Sequence, residues 1–473
     1  MLSASMLASS LICPVPTARA QQADTLPRGQ IVETVTAQSD PSQRYALYLP
    51  SRYEADSAWP VLIVMDPRGR ALVPLRRIVD AAEEHGYIVV SSYHTLSDGP
   101  SEPNERAMAV LLEELPQRYA LDTRRLYLVG FSGTARASWG FAPRMSGHVA
   151  GILGFGAGLP STYYRAGAVP AGGWGFAFFG GAGTTDFNFD EVRETEEILE
   201  RHGIARRLRF YDGPHAWPPA AVFAEALDWM ELQAVRTGLR PASSVPIEAI
   251  YARRLGEAQE LEAAERLYEA FERYRAIAED FEGLRATEHA QTRASELEQS
   301  EPVQQTGRRL DGLARRNSDL QRRLAFVLQM IRSGSPLSLE RSLEQLRVAR
   351  LQGEAADADD LLGALGAQRA LETYFVYSAF YEPREHLEQG EPTKALEALA
   401  IAGAVKPGHP QVCWFGAEAH LKLGHVPETL DALECLAGAG WLDPDRLESP
   451  AFDPLRGEER FQALVAGLGR GRG

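Results

Sequence analysis

The sequence predicts a three-layer α/β domain with a mostly parallel sheet, followed by an all-α domain. Three observations carry this. Between Ile31 and Arg209, β-branched and aromatic runs alternate with segments of helical spacing. Beyond Pro241 the strand signal stops, and 473 residues exceed the size at which one core usually keeps growing.

Ile31 to Ala37 and Arg44 to Leu49 read as a leading pair of strands, with Asp40, Pro41 and Ser42 as the turn. Further strands follow at Val61 to Met65, Tyr87 to Ser91, Leu126 to Gly130, Ala150 to Gly154, Gly175 to Phe179 and Arg207 to Tyr211. Several are continuously apolar, as strands covered on both faces require. Leu75 to His85, Asn104 to Tyr119, Ala135 to Met145 and Asp190 to His202 fit crossover helices, and Ala221 to Thr237 closes the domain.

In the second half, Ile247 to Leu284 is rich in Ala, Glu, Leu and Arg, with Leu261, Ala264, Leu267, Tyr268 and Phe271 as an apolar stripe. Glu301-Pro302-Val303 and Ser333-Gly334-Ser335-Pro336 interrupt it, on either side of a helix over Leu310 to Arg332. The segment Gly390 to Leu399 aligns with Gly424 to Leu433 at an offset of 34 residues. That period resembles a tetratricopeptide array, which implies stacked helix hairpins and a surface for a protein or peptide partner. A non-repetitive helical bundle is the alternative to the array, and helices that pack on the first domain, shaping its entrance or a dimer contact, are the alternative to a partner surface.

Leu2 to Ala20 carries no charge before Arg19, has an apolar stretch from Leu7 to Cys13, and ends on the small residues Ala18 and Ala20. It reads as a signal peptide, so the expectation is export to the periplasm or beyond. The expected domains are therefore 1–20, 21–240 and 241–473. No later stretch has the apolar length of a membrane span. A net charge of −15 argues against nucleic acid, whose binding depends on phosphate neutralisation by Lys and Arg. Beyond Cys13 the cysteines are Cys413 and Cys435, with no zinc spacing. They can pair in an oxidising compartment or serve as small core residues, and two free thiols are expected.

The sharpest motif is Gly130-Phe131-Ser132-Gly133-Thr134, placed directly after the strand Leu126 to Val129. A nucleophile elbow turns abruptly from strand to helix, which projects the serine oxygen from the sheet edge and demands small residues two before and two after. Gly130 satisfies the first demand, while Thr134 stands where a second glycine is usual. Replacing Thr134 with Gly is accordingly expected to leave activity intact or slightly raised.

The stretch 40–235 resembles an α/β-hydrolase, in particular the branch of secreted polyhydroxyalkanoate depolymerases and feruloyl esterases. The resemblance implies a nucleophile, an acid and a histidine in that chain order, each on a loop at the carboxyl end of a strand. Ser132 takes the first place. Asp186 takes the second, in the glycine-rich loop after the strand ending at Phe179; Asp190 competes but reads as a helix N-cap. His215 takes the third, in Gly213-Pro214-His215-Ala216-Trp217-Pro218, similar to the histidine loop of that branch. His148 and His202 sit at the wrong ends of their elements, and Asp212 is too near His215 in sequence to reach beneath it.

Acyl transfer also needs an oxyanion hole. The Gly133 N–H is one expected donor. The other should come from the loop Asp66-Pro67-Arg68-Gly69-Arg70; Pro67 has no N–H, which leaves Arg68, with Gly69 behind it. The Asp66-Pro67 pair departs from the His-Gly pair common in the family. Tyr93, His94, Trp139, Tyr163 and Tyr164 are candidate pocket residues. The expected activity is hydrolysis of a small-molecule or polymeric ester through an acyl-serine, with no metal or organic cofactor. A peptidase stands beside it because the same triad cleaves amides, and a non-catalytic binding module with a vestigial hydrolase domain is the rival from another class.

Overall fold

A computed structural model describes residues 26–160, 162–163, 174–442 and 447–469. The expected signal peptide, Cys13 and Tyr164 lie outside them. Contacts divide the chain into two compact units, residues 1–308 and 309–473.

In the first unit β1 (Ile31–Thr36), β2 (Arg44–Tyr48), β3 (Trp59–Met65), β4 (Ile88–Ser92), β5 (Leu121–Phe131), β6 (Val149–Phe155), β7 (Ala177–Gly181) and β8 (Arg206–Leu208) form one sheet. Its order is β1-β2-β4-β3-β5-β6-β7-β8. The β1–β2 and β2–β4 pairs are antiparallel and the remainder parallel. Along β3 the side chains alternate between two cores, with Val61, Ile63 and Met65 in one and Leu62 and Val64 in the other. Helices α1 (Leu72–His85), α2 (Glu102–Arg118), α3 (Gly133–Phe141), α4 (Phe189–Arg201) and α5 (Ala220–Arg236) supply the outer layers. Leu75, Ile78 and Phe223 cover the face of Leu62; Met108, Leu111, Trp139 and Ile198 cover the face of Ile63. Each such side chain contributes roughly 1.5–3 kcal/mol on burial.

Register fixes the working edge. Met65 pairs with Gly130, Phe131 with Phe155, and Phe155 with Gly181. Ser132, Gly156 and Ala182 therefore leave the sheet at one level, and Asp66 leaves one residue earlier, level with Phe131.

The same unit continues through α6 (Ile247–Ala263), α7 (Leu267–Asp280) and α8 (Glu288–Glu298). Leu232 of α5 shares a core with Ile250, Tyr251, Ala270, Tyr274, Ile277 and Phe281. Asp280 accepts from Trp229 Nε1 at 2.8 Å, Arg207 Nη2 at 2.6 Å and Arg254 Nη1 at 2.6 Å. The strand-to-helix change of character falls near residue 240, as read from the sequence. The compact division falls at 308/309, within α9 (Glu301–Arg332).

The second unit is all helix: α10 (Leu339–Leu346), α11 (Val348–Ala355), α12 (Leu361–Val376), α13 (Glu382–Glu388), α14 (Pro392–Val405), α15 (Pro410–Leu423), α16 (Val426–Gly438) and α17 (Glu459–Gly469). The two segments aligned at 34 residues start α14 and α16, each after a glycine of positive φ, Gly390 and Gly424. Cys413 on α15 and Cys435 on α16 are joined by a disulfide. This overturns the expectation of two free thiols: the antiparallel helices bring the two Cα atoms to 6.2 Å, within bonding reach. No helix of the described residues is long and apolar enough to cross a membrane.

Candidate active site

β5 ends at Phe131 and α3 begins at Gly133, so Ser132 alone makes the turn between them. Its backbone sits at φ 53°, ψ −126°, a region that disfavours any residue with a Cβ and costs of order 1–3 kcal/mol. The surroundings hold it there. Ser132 N donates to Phe155 O at 2.8 Å, and the Ala135 and Arg136 amides donate to Ser132 O. A Cβ on Gly130 would stand 2.6 Å from the Thr134 carbonyl and the Ala135 nitrogen, so only glycine fits.

Thr134 plays a different part from the one its size suggests. Its buried hydroxyl lies 2.6 Å from Met65 O and 2.8 Å from Phe131 O, and accepts from Phe131 N at 3.1 Å. It ties the end of β3 to the elbow rather than crowding it. Glycine there would remove these bonds.

An elbow at the end of the central strand, in a sheet of this order, decides the fold. Residues 31–236 have the α/β-hydrolase fold. No family model matches the chain, and no curated protein matches it. Among solved structures it is similar to the substrate-bound fluorophosphonate-binding serine hydrolase F of Staphylococcus aureus. That match has 16% identity and a TM-score of 0.35, over 43% of this chain and 99% of that one. The S-formylglutathione hydrolase of the same organism matches at 15% identity and TM-score 0.35, over 45% of this chain and 99% of its own. A ferulic acid esterase matches at 16% identity and TM-score 0.34, over 42% and 97%.

Asp186 and His215 meet. His215 Nδ1 lies 2.8 Å from both oxygens of the fully buried Asp186, whose Oδ1 also accepts from Asn188 N at 2.8 Å. Their loops are zipped together: Thr184 N donates to Tyr211 O, and Thr185 donates from backbone and hydroxyl to Gly213 O. A side chain on Gly183 would overlap Gly213 O, so this close approach needs glycine. Phe131 and Phe187 flank the imidazole with centroids at 4.5 and 4.4 Å. Gly156, at φ 64°, leaves room for both Phe131 and His215. Among the described residues no hydrogen bond joins Ser132 Oγ to His215; the Phe131 ring is what connects the elbow with the histidine.

Asp190 is not the N-cap expected of it. α4 starts at Phe189 with Asn188 at the cap, which puts Asp190 in the first turn. Asp212 is exposed, His148 precedes β6 and bonds Thr123 O, and His202 caps the end of α4.

The turn after β3 differs most from expectation. The Arg68 amide, expected as the second oxyanion donor, donates to Asp66 Oδ1 at 2.8 Å, and the Gly69 amide donates to Asp66 O at 3.2 Å. Both are already occupied. Gly133, first residue of α3, keeps an N–H with no intrahelical partner, because the first turn of any helix lacks one. Ser97 stands over Gly133 closely enough that a Cβ on that glycine would overlap it.

Of the candidate pocket residues, Trp139 is fully buried among Trp174, Phe176 and Phe178, and Tyr93 donates to Glu33 O. Glu84, His85 and Asp228 have metal-like spacing, but Arg253 pairs with both carboxylates and supplies the positive charge there. The roles of Asp66 and Trp217 had no local signal: Trp217 Nε1 donates to Asp66 Oδ2 at 2.8 Å across 151 residues of sequence.

Proposed function

We propose that the first unit is a serine hydrolase that cleaves carboxylic esters through an acyl-serine, with Ser132 as nucleophile, His215 as base and Asp186 as its orienting acid. The observation that supports this most is the strained backbone of Ser132 at the strand–helix turn, beside a histidine already held by a buried carboxylate. Ser132 Oγ attacks the acyl carbon while His215 Nε2 takes its proton. Asp186 keeps the Nδ1 proton and stabilises the imidazolium. The oxyanion forms against Gly133 N–H; such a donor is typically worth about 3–4 kcal/mol. The Arg68 amide joins only if Asp66 releases it. His215 then protonates the leaving alcohol, and water repeats the sequence in reverse to free the acid and restore Ser132.

Ester preference comes from the resemblance to secreted esterases. Export fits the Cys413–Cys435 disulfide, since such bonds persist in oxidising compartments. The 34-residue repeat in the second unit is read as tetratricopeptide-like, suited to a protein or peptide partner. The test is hydrolysis of short-acyl nitrophenyl esters, hydroxycinnamoyl esters and peptides by wild type, Ser132→Ala and His215→Ala. Ester turnover that falls about 10³-fold or more in both variants is expected. Wild-type turnover no faster than that of Ser132→Ala overturns the hydrolase reading, and preferential peptide cleavage overturns the esterase reading.

A further inference from the structure

Asp66 follows β3 and is fully buried. A buried carboxylate is costly unless its oxygens are filled, and these are. Oδ1 accepts from the Arg68 amide at 2.8 Å, the Arg70 amide at 3.0 Å and Arg70 Nε at 3.0 Å. Oδ2 accepts from Arg70 Nη2 at 3.0 Å and Trp217 Nε1 at 2.8 Å. Burial opposes its ionisation, but Arg70, Trp217 and the two amides outweigh burial and hold the carboxyl below its usual range.

Four of these five donors belong to the turn itself. Trp217 does not: it comes from the loop of His215, two residues further on. Its ring packs on Phe131, the residue before Ser132, with centroids at 5.3 Å, and Phe131 in turn touches the His215 ring. Ala216, between His215 and Trp217, has its carbonyl held by the Tyr211 hydroxyl at 2.8 Å. One carboxylate thus joins the turn after β3 to the histidine loop, with the elbow's Phe131 between them.

We propose that Asp66 is a positioning residue: its bond to the Trp217 indole N–H sets the height of the His215 loop against the Ser132 elbow. The inference rests on the Ser132–Asp186–His215 reading. It concerns the placing of His215; Asp66 also holds the Arg68 amide, so Trp217→Phe, which leaves that bond in place, is the variant that isolates the effect. A displacement of about 1 Å at a reacting group costs up to about 10²-fold in rate.

Two variants separate the bond from the packing. Trp217→Phe keeps an aromatic ring against Phe131 and Phe223 but has no N–H to donate. Asp66→Asn keeps one acceptor oxygen, and its amide group must face either the turn amides or the indole, all of them donors. Each should lower kcat about 10- to 100-fold with KM changed less than about threefold. The double variant should be no slower than the slower single one, since both substitutions act on the one Asp66–Trp217 contact. Fluorophosphonate labelling of Ser132 should slow in parallel. Trp217→Phe that keeps wild-type kcat and labelling rate overturns the proposal, as do losses that multiply in the double variant. Should Asp66→Asn fail to fold, Trp217→Phe decides alone. Wild type that does not label at Ser132 overturns the triad reading and this inference together; wild type that labels while Trp217→Phe labels equally fast overturns only this one.

Discussion

Ser132 keeps an unfavourable backbone because its neighbours leave no other path: Gly130 lets the strand and helix touch, and the Thr134 hydroxyl fastens the elbow to Met65. Thr134→Val, close in shape but without the hydroxyl, removes the bonds that Thr134 makes to the buried Phe131 amide and to Met65 O. It should lose about 2–3 kcal/mol in denaturant unfolding, while Thr134→Ser should stay within about 1 kcal/mol of wild type. Equal stability of the Val variant would show that the hydroxyl adds nothing. At this scale the sequence revealed what depends on chain order and strand ends. Asp186 and His215 each sit in a glycine-bearing loop after a strand, and the structure joins them. The Thr134 hydrogen bonds escape the elbow's size rule, which registers volume and not what a hydroxyl can reach. Arg68 was misread because the carboxylate two residues earlier takes its amide, a local Asx turn that the Asp-Pro sequence permits.

Among the elements, β8, α5 and α7 are bound by buried charge. Glu225 of α5 pairs with Arg273 of α7 at 2.6 Å and with Arg209, just beyond β8, at 3.2 Å. Burial would raise its pKa, but Arg273, Arg254 and Arg209 outweigh burial and bring it down to about 2 from 4.5. A carboxyl with a depressed folded pKa stabilises above its unfolded value and loses that contribution as pH falls through the folded one. Glu225 should therefore contribute of the order of 3 kcal/mol above pH 4.5, declining toward pH 2. Urea unfolding across this window should fall less steeply in Glu225→Gln than in wild type; identical slopes would remove Glu225 from the account. Strands β3 to β7 were legible because burial on both faces makes them continuously apolar. The break between α6 and α7 was not, since it turns at Glu265, φ 57°, with neither Gly nor Pro to mark it. The disulfide was open for a related reason: 22 residues of spacing do not say that two helices run back to back.

For the whole molecule, the change from strands to helices near residue 240 is plain in composition. The compact division at 308/309 is not, because it follows contacts between distant segments, among them those of Asp280 with Arg207, Arg254 and Trp229. We propose that α6 to α8 belong with the sheet. A chain cut after residue 240 strands the buried Arg207 and bares Leu232, and breaking one buried pair alone typically costs about 3–5 kcal/mol. Residues 26–300 should unfold in one cooperative thermal transition, whereas residues 26–240 should lack one. Equal melting of the two fragments would place α6 to α8 outside the unit. The central claim is that this unit activates Ser132. Its most direct test is to treat the folded protein with a fluorophosphonate and locate the adduct by peptide mass spectrometry. The account predicts one phosphonyl group per chain, on Ser132, absent from Ser132→Ala and much slower to form in His215→Ala; folded wild type that stays unlabelled, or labels elsewhere, would contradict it.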